Sequence, residues 1–141
     1  MNAIKLYRLE RWLFLHHLIL LAKLIRGLIF LLYNSFIPYT CEIGEGTTFA
    51  YKGMGVVIHS RAKIGKNCII AQQVTVGGRS KIQDVPLYIG AGAKVLGNIT
   101  IGNECVIGAN AVVIHSVESG SVVAGVPAKV IRAGITMKDY V

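Results

Sequence analysis

A six-residue period dominates residues 37–113 of this chain. An apolar, mostly branched aliphatic residue begins each six-residue unit, or hexad. The second position of the hexad is usually small, and the fifth position is mostly small or β-branched. Because six is a multiple of the two-residue period of a strand, each hexad can form a short strand whose aliphatic side chain always points inward, followed by a corner. Hexapeptide repeats are typical of parallel β-helices, so the period predicts an all-β fold of that kind, with three hexads in each coil. The periodic residues are Ile37, Ile43, Phe49, Ile58, Ile64, Ile70, Val76, Ile89, Val95, Ile101, Ile107 and Val113.

Two interruptions break the period. Nine positions separate Phe49 from Ile58, which places a three-residue insert around residues 53–55. Thirteen positions separate Val76 from Ile89, which predicts a seven-residue loop within residues 78–88. Binding and catalytic residues concentrate on loops that a rigid scaffold presents. We therefore expect the functional site near these two interruptions.

The composition excludes several classes of protein. Apolar residues make up 53% of the chain and charged residues 16%, which excludes a disordered protein. Three cysteines are too few for a disulfide scaffold.

Cys41, Cys68 and Cys105 each occupy the fifth hexad position, so we expect small buried side chains rather than disulfides or metal ligands. Reduced thiols are consistent with a cytoplasmic location.

Residues 1–36 form a distinct arm, ahead of the repeat domain at 37–131 and a tail at 132–141. Leucines recur there at three- and four-residue steps, which predicts two amphipathic helices broken near His16 and His17. The longest charge-free run, residues 27–41, is shorter than the roughly 20 residues that a membrane-spanning helix needs. The basic, leucine-rich surface suits the anionic inner face of a membrane. Packing on the rest of the protein or on neighbouring subunits is the alternative.

The repeat resembles that of the left-handed β-helix acyltransferases, and more narrowly the serine O-acetyltransferases and their sugar-modifying relatives. The resemblance lies in residues 55–80 (GVVIHSRAKIGKNCIIAQQVTVGGRS), 88–113 (YIGAGAKVLGNITIGNECVIGANAVV) and 124–131 (AGVPAKVI). It implies a left-handed coil, a homotrimer with active sites between subunits, acetyl-CoA as donor and no metal.

The family reaction needs a base that takes the proton of the acceptor hydroxyl while that hydroxyl attacks the thioester. His59 stands where most hexads have Gly or Ala, and such a departure from a local rule marks a functional site. With three hexads in a coil, His59 would stack beside Gly77 and Gly78. We predict that His59 is the base; the alternative is a surface imidazole hydrogen-bonded at a corner. His115 has no insertion nearby, and we expect no catalytic role for it.

The sequence departs from the serine O-acetyltransferase pattern at several positions. The family motif D-H-x-T-G corresponds to residues 51–55, so that Lys52 stands in the position of the histidine. Phe36 stands where the family has Asp, and residues 78–88 contain no histidine. These departures disfavour L-serine. The short arm and the GVVIH run (residues 55–59) resemble those of relatives that O-acetylate sugars of cell-surface polysaccharides, and this resemblance implies such a sugar, or its precursor, as the acceptor. L-Serine is the alternative acceptor.

Two other classes of function stay open. One is a scaffold or binding protein without catalytic activity. The other is a β-helix zinc enzyme, which needs three histidine ligands. The repeat region holds only His59 and His115, which disfavours the zinc site.

The resemblance also suggests where the donor and acceptor bind. It implies that pantetheine follows the coil edge at Ala91, Gly92 and Ala109, and that Lys129 and Arg132 meet the phosphates of the nucleotide as charge-assisted partners. Ordinary solubility charges are the alternative for these two cations. We also expect Lys52, Gly77 and Gly78 to contact donor or acceptor.

Overall fold

Short strands follow the hexads in the computed structural model, which describes residues 1–84 and 86–140. Within these residues the strands form three sheets: the first contains strands 1, 4, 7 and 10, the second strands 2, 5, 8, 11, 13 and 14, and the third strands 3, 6, 9 and 12. The pairs are parallel, except that strand 14 turns back antiparallel on strand 13. The predicted parallel β-helix is therefore confirmed. In chain order the strands are β1 (Glu42–Ile43), β2 (Thr48–Phe49), β3 (Val57–Ile58), β4 (Lys63–Ile64), β5 (Cys68–Ile70), β6 (Thr75–Val76), β7 (Lys81–Ile82), β8 (Leu87–Ile89), β9 (Lys94–Val95), β10 (Thr100–Ile101), β11 (Val106–Ile107), β12 (Val112–Val113), β13 (Val122–Ala124) and β14 (Lys129–Arg132).

The stacked aliphatic residues form the core of the solenoid. Ile58 pairs with Val76, and Val76 pairs with Val95 in the next coil. These positions are buried, as are Ile70 and Ile107 on the second sheet. Burying such a side chain contributes about 1.5–3 kcal/mol. The register confirms the predicted three hexads per coil.

The predicted loop at residues 78–88 is wrong, because strand β7 lies inside it. Ile82 pairs with Ile64 on one side and with Ile101 on the other. The irregularity is therefore one extra residue between Ile82 and Ile89. The sequence hid this hexad because Gln83, rather than a small residue, follows its aliphatic position. Val85 of the predicted loop lies outside the described residues.

The first insert is where the helical arm docks. Residues Ala50–Gly53 form a 3₁₀ turn. The Ser35 hydroxyl donates to the carbonyl of Gly53 and accepts a bond of 3.0 Å from the Val56 amide. A Cβ atom added at Gly53 would lie 2.8 Å from the Cβ of Ala3, so the first turn of the arm packs directly on the insert. The insert is thus a structural anchor rather than a free loop.

The arm contains helices α1 (Ala3–Leu15) and α2 (Ile19–Tyr33), which confirms the predicted break near His16 and His17. Helix α1 is tied to the chain that enters the first coil. The Tyr7 hydroxyl donates to the Cys41 carbonyl at 2.7 Å, and the Arg11 guanidinium donates to the carbonyls of Tyr39 and Cys41 at 2.8 and 3.0 Å. This face of α1 is therefore covered by the protein itself.

Helix α2 leaves most of its leucines in solvent. Leu20 is 73% exposed and Leu31 is 79% exposed, while Ala22 and Ile29 face the protein. Leu24 shares the exposed side of the helix. Among the described residues, we find no helix with the length and apolar character needed to cross a membrane.

The cysteines lie in the core, as predicted. Cys41, Cys68 and Cys105 are buried free thiols. Burial raises the pKa of Cys41 to about 12 and that of Cys68 to about 11. All three side chains are therefore protonated, unreactive packing groups at neutral pH.

One corner of the solenoid, between the second and third sheets, alternates glycine with an amide residue. We call it the insert corner; from coil to coil it carries Gly55, Gln73, Gly92 and Asn110, all with positive φ. A Cβ atom added at Gly92 would lie 2.1 Å from Oδ1 of Asn110, and one added at Gly55 would lie 3.0 Å from Cγ of Gln73. Each amide side chain therefore occupies the space that the glycine of the preceding coil leaves open.

Glu10 is a fully buried acid on helix α1. Neither of its carboxyl oxygens has a hydrogen-bond partner among the described residues. Burial raises the pKa of Glu10 from 4.5 to about 8, although the charge of Arg26 acts in the opposite direction. The carboxyl group is therefore largely neutral in the folded protein at pH 7.

This raised pKa predicts that the protein loses stability as pH rises. Above pH 4.5 the unfolded chain releases the Glu10 proton, whereas the folded protein holds it up to about pH 8, so the free energy of unfolding falls across that interval. Glu10→Gln stays neutral and should flatten this fall, as measured by urea unfolding between about pH 5 and pH 8. The exposed Glu45→Gln is the control and should leave the slope unchanged. An unaltered slope in Glu10→Gln would contradict the argument.

Candidate functional site

A cavity of about 460 Å³ opens at the first coil, beside His59. We call it the His59 cavity. Phe36 and Tyr39, from the chain that enters the solenoid, form one wall, and Arg26 of helix α2 contributes to another. Gly77 lies at its edge. The cavity is therefore built from the arm, the entering chain and the third sheet together, and its size suits a small-molecule ligand.

The position of His59 is set by strand pairing. Its backbone amide donates to the Val76 carbonyl at 2.9 Å, which extends the β3–β6 ladder by one bond. A Cβ atom added at Gly78 would lie 3.2 Å from Nδ1 and Cε1 of the imidazole. The predicted stacking of His59 beside Gly77 and Gly78 is confirmed, and a methyl group added at Gly78 would require the ring to shift.

A hydrogen bond to the ring of His59 bears on its chemistry. The backbone amide of Arg61 donates to Nδ1 at 3.1 Å. In the neutral ring this contact leaves the hydrogen on Nε2, so that Nε2 is a donor in this arrangement. To accept a proton at Nε2, the ring must release the Arg61 amide and move its hydrogen to Nδ1. The role of His59 as base stays a prediction.

Lys52 lies before strand β3, whereas His59 follows it. Lys52 belongs to the insert, with a φ of 64°, and its side chain is exposed. It lines a separate cavity of about 370 Å³ together with Met1, Leu32 and Met54. The structure therefore does not bring Lys52 and His59 into one cavity.

The residues predicted to hold pantetheine do share one edge. Ala91, Gly92 and Ala109 lie along the insert corner, where the Asn110 amide donates to the Ala91 carbonyl at 2.8 Å. The ammonium group of Lys94 donates to the carbonyl of Gly92 on the same corner at 3.0 Å. Lys94 is a cation that the sequence analysis missed, because its place in the repeat resembles that of any outward-facing strand residue.

Lys129 and Arg132 lie farther along the solenoid, on strand β14. Both are exposed. The Arg132 guanidinium donates to the Tyr140 hydroxyl at 3.2 Å, so the tail covers part of this cation. The two residues form a basic end that is separate from the His59 cavity.

Arg26 is the other site residue that the sequence analysis missed. The helical pattern placed it on the arm, but nothing in the local sequence showed that α2 brings it to a cavity lined by β3. Only the docked arm brings it to the same cavity as His59.

Comparison with known proteins shows what this arrangement is related to. The model of the bacterial transferase hexapeptide family (six repeats) matches residues 87–115. A serine acetyltransferase of Synechococcus elongatus is 39% identical over 95% of this chain and 58% of its own length. The chain is a hexapeptide-repeat relative of the serine acetyltransferases. The resemblance stated from the sequence is thereby confirmed.

Solved structures agree with this relationship. Serine acetyltransferase from Brucella abortus superposes with a TM-score of 0.89, at 33% identity over 95% of this chain and 57% of that one. The same enzyme in complex with coenzyme A gives a TM-score of 0.87, also at 33% identity, over 95% of this chain and 56% of the other. The chain therefore spans a little over half the length of these relatives.

The contact between Gly78 and the imidazole gives a direct test of the site geometry. Gly78→Ala should displace the His59 ring and weaken its bond to the Arg61 amide, because the added methyl group meets ring atoms at about 3.2 Å. The ring ¹⁵N shifts of His59 measured by NMR should change accordingly. Gly27→Ala, at a position where an added Cβ meets nothing within 4 Å, is the control and should leave those shifts unaltered.

Proposed function

We propose that the protein is an acetyl-CoA-dependent O-acetyltransferase whose acceptor binds in the His59 cavity. The observation that carries this proposal is a histidine on the wall of a small-molecule cavity, at a coil corner of a solenoid related to the serine acetyltransferases. The coenzyme A complex of the Brucella abortus enzyme supports acetyl-CoA as the donor.

In the proposed reaction the acceptor hydroxyl attacks the carbonyl carbon of the acetyl thioester. His59 takes the hydroxyl proton, the C–S bond breaks, and the proton passes to the departing CoA thiolate. Before Nε2 can take this proton, its own hydrogen must move to Nδ1, and Nδ1 must release the Arg61 amide. Main-chain amides at the corner stabilise the negative oxygen of the intermediate.

The relatives favour L-serine as the acceptor. The expectation of a polysaccharide sugar gains no support from the proteins compared, each of which is a serine acetyltransferase. We therefore propose L-serine as the first candidate and a sugar of a surface polysaccharide as the second. Phe36, which lines the His59 cavity where the family pattern has Asp, makes this chain's acceptor site different from theirs in detail.

We propose that the donor lies along the insert corner of one protomer, with its acetyl group at the His59 cavity of a neighbouring protomer. Ala91, Gly92 and Ala109 are small and let pantetheine approach the main chain. Lys94 supplies a cation on the same edge, and Lys129 and Arg132 supply cations for the phosphates near the end of the solenoid.

We propose that the protein is a homotrimer and that helix α2 is covered by neighbouring copies. On its exposed side Leu20, Leu24, Gly27 and Leu31 are separated by steps of four, three and four residues, which is the spacing of a helix–helix seam. Contact of this surface with the inner face of a membrane is the other outcome.

Substitution of His59 tests the reaction. General-base catalysis is worth about 10²- to 10⁴-fold, so His59→Ala should lower kcat by about that factor while the affinity for acetyl-CoA stays unchanged. The measurement is thiol release from acetyl-CoA with L-serine and with nucleotide- and lipid-linked sugars as acceptors. His115→Ala is the matched control and should be nearly neutral. Absence of turnover with every acceptor would favour a non-catalytic scaffold. Loss of activity in Lys52→Ala but not in His59→Ala would identify Lys52, rather than His59, as the base.

Assembly is tested by light scattering without detergent. The mass should be about three times 15.2 kDa, and polar substitution of Leu24 and Leu31 should weaken the association. A stable monomer that sediments with anionic vesicles in a salt-sensitive manner would instead identify a membrane-facing arm.

A further inference from the structure

Arg26 brings a positive charge to the His59 cavity from outside the solenoid. The residue is half-buried on helix α2. Its guanidinium carbon lies 5.7 Å from the centre of the Phe36 ring and 5.3 Å from that of Tyr39. These two rings also line the cavity, so they hold the guanidinium group beside its wall.

The charge of Arg26 has no carboxylate partner among the described residues. The salt bridge found there joins Lys63 to Glu42, away from this site. The described lining of the His59 cavity contains neither Asp nor Glu. Glu10 is the acid that would interact electrostatically with Arg26 if it were ionised. The pKa of Glu10 is about 8, so its carboxyl group is mostly protonated at neutral pH. The cavity therefore has a net positive wall.

The other groups at the cavity are suited to a polar acceptor. Thr40, Ser60 and Thr75 add hydroxyl groups to the lining, and His59 adds a titratable ring. A guanidinium group binds carboxylate or phosphate through paired, charge-assisted hydrogen bonds. A hydroxyl compound that also carries an oxyanion would use both features of the cavity at once.

We propose that Arg26 binds an oxyanion of the acetyl acceptor and thereby selects hydroxyl compounds that carry a carboxylate or a phosphate. This inference rests on the proposed function for the identity of the reaction. A neutral sugar would leave the guanidinium group unpaired, whereas a hydroxy acid or a sugar phosphate would satisfy it. Arg26 is thus a specificity-determining residue supplied by the arm.

The test compares acceptors that carry an oxyanion with close analogues that lack it. L-Serine is paired with L-serinamide, and glucose 1-phosphate is paired with glucose; the pair in which the charged member is preferred identifies a carboxylate or a phosphate as the group recognised. In Arg26→Gln the KM for the preferred charged acceptor should rise about 10- to 100-fold, because a charge-assisted bond is lost. The kcat at saturation and the KM for acetyl-CoA should change little, and Arg26→Lys should recover part of the loss.

Lys23→Gln is the matched control, since it removes one charge from the same helix one turn earlier. It should leave the acceptor KM unchanged. Circular dichroism of each variant establishes that α2 remains folded. Equal KM increases for charged and neutral acceptors, or an unchanged KM in Arg26→Gln, would overturn the proposal while leaving acetyl transfer in place.

A binding experiment separates this proposal from the proposed function. The side-chain Nε–H resonance of Arg26 should shift on titration with L-serine or glucose 1-phosphate, and not with L-serinamide or glucose. If the protein turns over no acceptor but Arg26 responds in this way, the proposed reaction fails and the oxyanion site stands. If Arg26 responds to none of these four compounds, the oxyanion site fails.

Discussion

The inward-facing aliphatic residue of each hexad is the constraint on which the rest of the structure depends. The stacking of Ile58, Val76 and Val95 in successive coils fixes the register of the third sheet. This register determines which corner residues lie above one another. His59 meets Gly78 because their coils are locked in this register. The geometry of the site is therefore a consequence of core packing at the adjacent positions.

The arm and the solenoid depend on each other through the insert. Ser35 bonds to both sides of the insert, and Ala3 packs against Gly53, so α1 and the end of α2 are held against the first coil. This docking places Arg26 at a cavity whose other wall is the third sheet. A site built from two such parts depends on the attachment of the arm as much as on the solenoid.

The fold could be predicted from the sequence because almost every strand carries one apolar residue at the six-residue period. The prediction failed at Ile82, because Gln83 follows it in place of the usual small residue. Ile82 nevertheless forms a strand, since it pairs in parallel with Ile64 and Ile101. His59 could be singled out because it breaks a local rule. Arg26 could not, because its place depends on how the arm docks on the first coil, and local periodicity contains no information on that docking.

The alternation of glycine and amide residues at the insert corner has a consequence for how such a solenoid can change its length. Gly55, Gln73, Gly92 and Asn110 repeat after two coils, whereas the core repeats after one. Deleting or duplicating a single coil would therefore preserve the core but place two amide side chains, or two empty spaces, one above the other at this edge. Growth or shortening by pairs of coils would keep both patterns in step, which makes the coil pair, rather than the coil, the unit of length at this edge.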